Sequence, residues 1–437
     1  MTDGVGLDDI YGATIERIKA QGGDKSRLGM GALMWICHAE EQLIPDELGY
    51  ALAIELGSTD FNASNIPSIV TLMSCCQGLI TMDKGKSTVR LIHFTLREYL
   101  CAHPDIFDRP HSAIAEICLT YLNCQQVRAL SAGTSDYLNL LIHDNPFLLY
   151  CSLYWGVHAK KDLSDCARSL ALQLLREYDG HISTALSAAI KWAYPQDPYT
   201  GSLWSGLHCA SHFGIVEVVI SLIQMGCYDL NEVNYWGYTA LALAAEMGHV
   251  EVVEILLGRE DISPDRPGDE ARTPLSHAAL NGHERVVEML LRQKEVNPDK
   301  PDNFGRTPLS YAASTGKEEV VKILLGREEV NPDRPNILGK TPLSYASEGG
   351  NKEVVKILLR REEVNPDRPD NRGKTPLSYA AEGGKEEIVK ILLRREDVSL
   401  EKEDFEGRTP LRIAARWGEW GVVALLQSHK AVIYGGT

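Results

Sequence analysis

The second half of the chain repeats one pattern of apolar and polar positions, which is clearest in the stretch TPLSYAASTGKEEVVKILL from Thr307. Leu309, Ala312 and Ala313 lie at helical spacing and form a narrow face of small side chains. Gly316 then favours the left-handed turn that ends a helix. A second apolar stripe with helical spacing follows and consists of Val320, Val321, Ile323, Leu324 and Leu325. The pattern therefore predicts two short helices joined at Gly316.

This pattern recurs with a fixed period of 34 residues. Ser205 lies one period before the first of six threonines, which are Thr239, Thr273, Thr307, Thr341, Thr375 and Thr409. All but Thr239 are followed by Pro-Leu. Threonine is a good N-cap residue, and proline at the first helical position has no amide hydrogen to leave unpaired. Because one helix pair cannot bury its apolar stripe alone, we predict an α-solenoid of about seven stacked pairs over residues 200–437.

Two families of helical repeats share a period of about this length. The tetratricopeptide repeat does not fit, since its Trp, Gly and Tyr positions are absent. Residues 302–335, 336–369 and 370–403 closely resemble the ankyrin repeat. The usual ankyrin period is 33, and we expect the additional residue in the loop between units. The resemblance implies that the loop tips and the exposed side of each first helix line a concave face that binds another protein.

The ankyrin resemblance assigns fifteen positions of this chain to that face. They are Phe213, Tyr235, Trp236, Tyr238, Met247, Phe304, Arg306, Ile337, Leu338, Lys340, Arg372, Lys374, Phe405, Arg416 and Trp417. Aromatic and arginine side chains often dominate interfaces, at about 2 kcal/mol or more each when a partner buries them. For Trp236 and Phe213 an alternative stays open, in which both rings pack against the preceding helical domain.

Before residue 200 the 34-residue period disappears and charged residues become less frequent. Two apolar runs, Gly78–Met82 and Thr88–Phe94, predict strands joined by a polar hairpin turn. Helical apolar spacing predicts four helices ahead of them, over residues 7–21, 26–40, 45–56 and 66–77. Helices followed by a small hairpin describe a winged helix. The predicted fold is therefore mainly α, with a winged-helix-like domain (1–103), a helical linker domain (104–199) and the repeats (200–437).

The segments DIYGATIERIKAQ and TVRLIHFTLREYL resemble the winged-helix segment that follows the NACHT nucleotide-switch domain in fungal receptor proteins. Residues from about 110 to 195 resemble the helical stretch that links such a domain to ankyrin repeats. In that family a winged-helix histidine, matched here by His93, lies near the nucleotide phosphates. This sequence contains no G-x-x-x-x-G-K-[ST] loop, and its nearest approach, Gly85-Lys86-Ser87, is predicted to be a hairpin turn. We therefore predict no nucleotide or other cofactor, and a core or hydrogen-bonding role for His93.

The formal net charge of -16 argues against direct binding of nucleic acid, which needs clustered lysine and arginine. A winged helix can enter a DNA groove, but residues 66–77 contain no Lys or Arg. The predicted wing offers only Lys84, Lys86 and Arg90. The charge favours a basic protein partner instead.

Ten cysteines occur without any C-x-x-C pair, a pattern typical of reduced, buried thiols, and we predict no metal site. The acidic N-terminal sequence does not resemble a secretory signal, and no apolar stretch approaches the roughly 20 residues that span a bilayer. These features predict a cytoplasmic or nuclear protein that binds no membrane.

Motifs of common enzyme classes are missing from the sequence, including H-E-x-x-H, G-x-S-x-G and G-x-G-x-x-G. We therefore predict no catalytic residues and no small-molecule substrate. The leading interpretation is a non-enzymatic adaptor or scaffold that binds a protein partner through its repeats. Two alternatives stay open: a transcriptional co-regulator acting through a DNA-bound factor, and the remnant of a NACHT-type signalling or self-recognition receptor.

Overall fold

A computed structural model of the protein describes residues 6–83, 85–130, 135–184, 186 and 204–434. The chain forms two compact units, Met1–Cys227 and Tyr228–Thr437, called here the N-terminal unit and the repeat unit. Both are mainly helical. The wing residue Lys84, the end of the linker domain at 187–199 and residue 200, where the first repeat was predicted to begin, lie outside the described residues.

The N-terminal unit begins with the winged helix that the apolar pattern predicts. Its elements are α1 (Leu7–Ala20), α2 (Gly23–His38), α3 (Pro45–Ala53), α4 (Ile69–Cys75), β1 (Ile80–Asp83), β2 (Thr88–Leu91) and α5 (Phe94–Ala102). The observed helix ends differ from the predicted ones by at most three residues. Helix α4 begins later than expected because the Ser68 hydroxyl accepts the amide of Thr71 and so caps the helix there.

The hairpin of the winged helix is antiparallel, with Ile80 opposite Leu91 and Asp83 opposite Thr88. The Asp83 carboxylate accepts the amide hydrogens of Gly85 and Lys86 at 2.9 and 3.3 Å, which closes the turn. Gly85-Lys86-Ser87 is therefore a hairpin turn between two strands, as predicted.

Seven further α-helices follow in the described part of the N-terminal unit. They are α6 (Pro110–Asn123), α7 (Gln125–Arg128), α8 (Ser135–Asp144), α9 (Pro146–Lys161), α10 (Asp165–Leu175), α11 (Gly206–Phe213) and α12 (Val216–Gln224). Helix α9 packs against α6 and α3. Its Phe147 and Tyr150 enclose Trp35 of α2, with ring centroids 5.5 and 5.6 Å away, and all three side chains are fully buried. Burial of such rings joins elements that are distant in sequence.

Helices α11 and α12 form the first helix pair, and they pack against α9 and α10. The Phe213 ring lies edge-on to Trp155, with centroids 5.4 Å apart. A methyl group at Gly156 would lie 2.2 Å from the Phe213 ring, so only glycine permits this approach. Phe213 therefore packs against the helical segment before the repeats, which is the alternative that the sequence left open for it.

The repeat unit contains six helix pairs in its described residues. They are α13 (Ala240–Met247) with α14 (Val250–Leu257), α15 (Pro274–Asn281) with α16 (Glu284–Leu291), α17 (Pro308–Thr315) with α18 (Glu318–Leu325), α19 (Pro342–Gly349) with α20 (Lys352–Leu358), α21 (Pro376–Glu382) with α22 (Glu386–Leu392), and α23 (Pro410–Trp417) with α24 (Trp420–Tyr434). Each first helix packs against the first helices of its neighbours. The apolar stripes form one core along the stack.

Threonine opens each of these first helices in the way its sequence position predicts. The Thr341 hydroxyl accepts the amide of Ser344 at 3.2 Å, and the other five threonines make the corresponding bond. Gly350 then ends the helix in the left-handed conformation at φ 77°. Capping and helix ends are thus set within each repeat.

The loops after the second helices carry a periodic row of ion pairs. The pairs are Asp265–Lys300, Asp299–Arg334, Asp333–Arg368 and Asp367–Lys402, at 2.9, 2.9, 3.0 and 3.0 Å. Each joins one loop to the loop of the next repeat. Their cations are partly exposed, so each pair contributes on the order of 1 kcal/mol or less.

Candidate functional site

The loop tips of the repeat unit share one construction, in which an aspartate or asparagine side chain accepts two backbone amides. Asn336 Oδ1 accepts from Leu338 and Lys340, both at 2.9 Å. The equivalent acceptors are Asn234, Asp302, Asp370 and Asp404. The third repeat departs from this construction, since Glu270 and Ala271 adopt positive φ in a short 3₁₀ turn. Each Asp or Asn fixes a tight turn and turns the two residues after it outward.

Successive tips are joined into a row by backbone hydrogen bonds. The Ile337 amide donates to the Phe304 carbonyl at 3.0 Å, and the Asn371 amide donates to the Leu338 carbonyl at 2.8 Å. Gly339, at φ 81°, leaves room for this contact, because a Cβ there would lie 2.7 Å from the Asn371 nitrogen. The Phe405 amide continues the row by donating to the Arg372 carbonyl at 2.9 Å. The glycine of each tip is therefore required by the next tip.

This row exposes apolar side chains that the fold itself does not need to bury. Ile337 and Leu338 are 57 and 56 % exposed, and Phe405 is 80 % exposed. Tyr235 and Phe304 are exposed at other tips of the same unit. These five residues are called the tip row below. Exposed apolar side chains held on rigid turns are typical of a protein-binding surface.

Behind the tip row lies a column of cations, each immediately before a repeat threonine. Lys340 Nζ pairs with Glu348 at 2.6 Å and lies 4.3 Å from the centre of the Tyr379 ring. Lys374 Nζ pairs with Glu382 at 2.7 Å. Both lysine side chains are mostly buried. The complete column is Arg272, Arg306, Lys340, Lys374 and Arg408.

Three of these cations, Arg306, Lys340 and Lys374, were predicted to bind a partner. Arg306 donates to Asp302 at 2.8 Å, and its guanidinium lies 4.7 Å from the centre of the Phe304 ring. The structure therefore places all three within intramolecular contacts, where they hold the tips rather than project from them. Their burial also follows from the tyrosines of the first helices, because aromatic faces attract cations.

Tyrosine hydroxyls attach three tips to the helices behind them. The Tyr345 hydroxyl accepts the side-chain amide of Asn336 at 2.8 Å. Tyr311 donates to Asp302 and Tyr379 donates to Asp370, both at 2.6 Å. Burial raises the pKa of both phenols, so they stay protonated and remain donors at neutral pH. The tip row is thus supported by a rigid layer of hydrogen bonds, which limits the entropy lost when a partner binds.

The remaining predicted residues are distributed over the same unit. Met247, Arg372, Arg416 and Trp417 are exposed. Trp236 is half-buried, with its ring centroid 5.4 Å from that of Tyr235.

Tyr238 is also half-buried, and its ring centroid lies 4.7 Å from that of His277. Phe213 belongs to the N-terminal unit, where it packs against Trp155. The structure therefore does not bring all fifteen predicted residues onto one exposed surface.

Within the described repeat unit, the predicted set lacks one exposed aromatic residue and two cations of the column. Trp420, the first residue of α24, is exposed close in sequence to Trp417. Arg272 and Arg408 occupy the same repeat position as Lys340. The signal for both cations was present, since a basic residue precedes the threonine of five repeats at the full 34-residue period.

In the winged helix, His93 is exposed and caps α5. Its Nδ1 accepts the Thr95 amide at 3.3 Å and lies 2.8 Å from the Thr95 hydroxyl. Of the two roles predicted for His93, the structure shows the hydrogen-bonding one and not burial in a core.

These observations define a helical-repeat protein with an N-terminal winged helix. A sequence model of ankyrin repeats matches in three copies, at residues 168–267, 261–336 and 343–434. These copies cover more than half of the chain, so the protein belongs to the ankyrin-repeat family. The first copy begins before residue 200, where the repeats were predicted to start. A model described as the winged helix domain of GPI inositol-deacylase matches residues 16–109.

Among solved structures, the human ASB11 ankyrin repeat domain is similar, with 25 % sequence identity and a TM-score of 0.44. The alignment covers 51 % of this chain and 97 % of that domain. No curated protein matches the chain. Ankyrin repeats point to a protein–protein interaction module, and the fold is generally non-enzymatic. Within the part of the chain that the structure describes, no helix combines the length and apolar character needed to cross a membrane.

Proposed function

We propose that this protein is a non-enzymatic adaptor whose repeat unit binds a protein partner through the tip row. The observation that carries the proposal is the exposure of Ile337 and Leu338 on a turn whose backbone is fixed by Asn336 and by both neighbouring tips. Apolar side chains at such positions contribute nothing evident to folding. Their burial by a partner would contribute about 1.5–3 kcal/mol each.

The exposed side chains of the tip row favour a partner with apolar anchors, and the charge of the whole chain favours a basic partner. Beside the tip row, Glu348, Glu382 and Glu406 are already paired with Lys340, Lys374 and Arg408. The chain as a whole carries a formal net charge of -16. A net negative charge attracts a cationic partner and speeds its encounter, whereas the apolar contacts hold the complex.

The proposal is tested by recovering partners with tagged full-length protein from cell extract. The variant Ile337→Ser plus Leu338→Ser removes the two adjacent apolar side chains of the tip row. The matched control is Val70→Ser plus Ile92→Ser, which removes two apolar side chains of the N-terminal unit that are 73 and 55 % exposed. We expect partners that wild type and control recover alike and the tip variant loses. Equal recovery by the tip variant would refute the tip-row proposal.

The order of winged helix and ankyrin repeats supports a second candidate, in which the chain acts as part of a NACHT-type signalling receptor. The supporting observation is the described winged helix at α1–α5, matched over residues 16–109. Sequencing the transcript on the 5′ side of the present start tests this candidate. A phosphate-binding loop encoded there in frame would support it, and an in-frame stop codon would count against it.

The cellular location follows from the adaptor proposal only as an expectation, namely cytoplasm, nucleus or both. A nuclear fraction would favour the transcriptional co-regulator version, in which the tip row binds a DNA-bound factor. Fluorescence imaging of the tagged full-length chain distinguishes the two versions, and exclusion from the nucleus under all conditions would remove the co-regulator.

A further inference from the structure

Three side chains from separate elements of the N-terminal unit converge at the packed ends of α2, α6 and α9. Glu40 follows α2, His111 is the second residue of α6, and His158 lies in the last turn of α9. One ligand atom from each lies within 4.8 Å of the other two. The Nδ1 atoms of His111 and His158 are 2.8 Å apart. Two imidazole nitrogens and a carboxylate are a frequent protein ligand set for zinc.

We propose that Glu40, His111 and His158 form a binding site for a divalent transition-metal ion of the zinc class. The proposed site does not involve the tip row. A bound ion would link the end of α2, a helix of the winged-helix domain, to helices α6 and α9. Imidazole ligands favour zinc and similar metals over magnesium or calcium, which prefer oxygen ligands. Three protein ligands leave the fourth tetrahedral position for water.

The geometry requires only a small adjustment to accept the ion. Zinc binds imidazole nitrogens at about 2.0–2.1 Å, so two such ligands at a tetrahedral angle lie about 3.3 Å apart. The observed separation of 2.8 Å suits a hydrogen bond between the two rings. His158 is fully buried within α9, whereas His111 is half-buried near the start of α6. Rotation of the His111 ring therefore opens the pair.

A second set of contacts fixes the ring of His158 in the orientation that a ligand needs. Its Nε2 lies 2.9 Å from the Tyr150 hydroxyl, which also accepts the Glu40 amide at 3.1 Å. With the proton on Nε2 donated to the Tyr150 oxygen, Nδ1 offers its lone pair to the metal. Such a hydrogen bond on the far nitrogen is usual for metal-binding histidines. Tyr150 is therefore a positioning residue for the site.

One cation competes with the proposed ion for Glu40. Lys161 Nζ pairs with the Glu40 carboxylate, and the lysine side chain is partly exposed. Since Lys161 can swing into solvent, the metal would displace it from the carboxylate. The variant Lys161→Gln removes this competitor and should therefore increase metal affinity, whereas loss of a ligand should decrease it.

The site is tested by titrating the metal-free full-length chain with zinc chloride in a calorimeter and with cobalt(II) followed by visible absorption. We expect one ion per chain and the absorption of tetrahedral cobalt. His111→Gln and Glu40→Gln should each weaken binding at least about 10-fold, and Tyr150→Phe should weaken it by about 10-fold or more.

The matched control is His143→Gln, which alters an exposed histidine beside the Asp144 carboxylate in the same unit. It should leave zinc affinity unchanged. Equal affinity of wild type, His111→Gln and Glu40→Gln, or no zinc binding by a wild type that circular dichroism shows to be folded, would overturn the proposal. If His111→Gln fails to fold, Glu40→Gln decides the question, because Glu40 lies at the surface.

Discussion

In the N-terminal unit, Trp35 of α2 is buried by Phe147 and Tyr150 of α9, which follow it far along the chain. In the repeat unit, a buried leucine such as Leu343 of α19 belongs to a helix that packs mainly against its own pair and the adjacent repeats. Contacts between nearest neighbours allow one repeat to open without the whole stack. Long-range burial makes the N-terminal unit depend on all its elements together.

The largest predicted loss of stability comes from removing one buried side chain in each unit, and the spread of that loss along the chain distinguishes the two kinds of packing. Trp35→Ala should destabilise the N-terminal unit by about 3–5 kcal/mol and lower amide protection throughout its helices α2, α6 and α9. Leu343→Ala should cost about 2–5 kcal/mol, with lost protection concentrated in α17 to α22. Hydrogen exchange followed by mass spectrometry measures both patterns. Uniform loss across the repeat unit in Leu343→Ala would contradict the nearest-neighbour account.

A smaller loss of stability is expected at acidic pH, because a buried histidine replaces the tyrosine that other repeats carry at the same position. His277 occupies the position of Tyr311, Tyr345 and Tyr379, and burial lowers its pKa to about 4. Between pH 6.5 and 4 the unfolded chain takes up a proton that the folded repeat excludes, so stability falls as pH falls. The expected loss from pH 7 to pH 5 is about 2 kcal/mol.

Urea unfolding at pH 7 and pH 5 tests this prediction, with His277→Tyr as the comparison because it restores the residue of the other repeats. The variant should lack the pH dependence that His277 supplies. In the N-terminal unit, burial also lowers the pKa of His181 to about 4. The loss of stability that His181 causes in acid is therefore expected in both the wild type and the variant. An unchanged pH dependence in His277→Tyr would show that other groups cause it.

The helix caps give the next smaller effect. Thr341→Ala removes the hydroxyl that accepts the Ser344 amide and should cost about 1 kcal/mol. Helices α1, α2 and α3 of the N-terminal unit follow Gly6, Gly22 and Ile44, none of which accepts a helix amide with its side chain.

The urea midpoint of Thr341→Ala, compared with that of the exposed-site control Glu328→Ala, provides the measurement. Equal midpoints for the two variants would show that the periodic threonine does not contribute through capping.

The sequence predicted the repeats well because their signals are local. Thr341, Gly350 and the apolar stripe between them act within one repeat. The 34-residue period was therefore enough to predict the helix pairs and the residues at which the helices end. The burial of Lys340 was not predictable in this way, since it depends on Tyr379 of the next repeat. The exposure of Ile337 and Leu338 was expected from their tip position, and the structure places them there.

The N-terminal unit was less predictable from the sequence, because its contacts join residues that are far apart along the chain. Its winged helix follows from apolar spacing, but His111, His158 and Glu40 come together only because α2, α6 and α9 pack in three dimensions. No spacing along the chain brings these residues into a recognisable metal motif. The zinc site proposed from the structure therefore departs from the sequence prediction of no metal site.

The central claim is that recognition depends on the tip row. The most direct test measures the affinity of a purified partner for two full-length proteins, the wild type and the variant Ile337→Ser plus Leu338→Ser. The account predicts a dissociation constant at least about 30-fold higher for the variant, corresponding to about 2 kcal/mol. Its unfolding free energy should change by no more than about 0.5 kcal/mol, since both residues are exposed. Equal dissociation constants for two equally stable proteins would contradict the account.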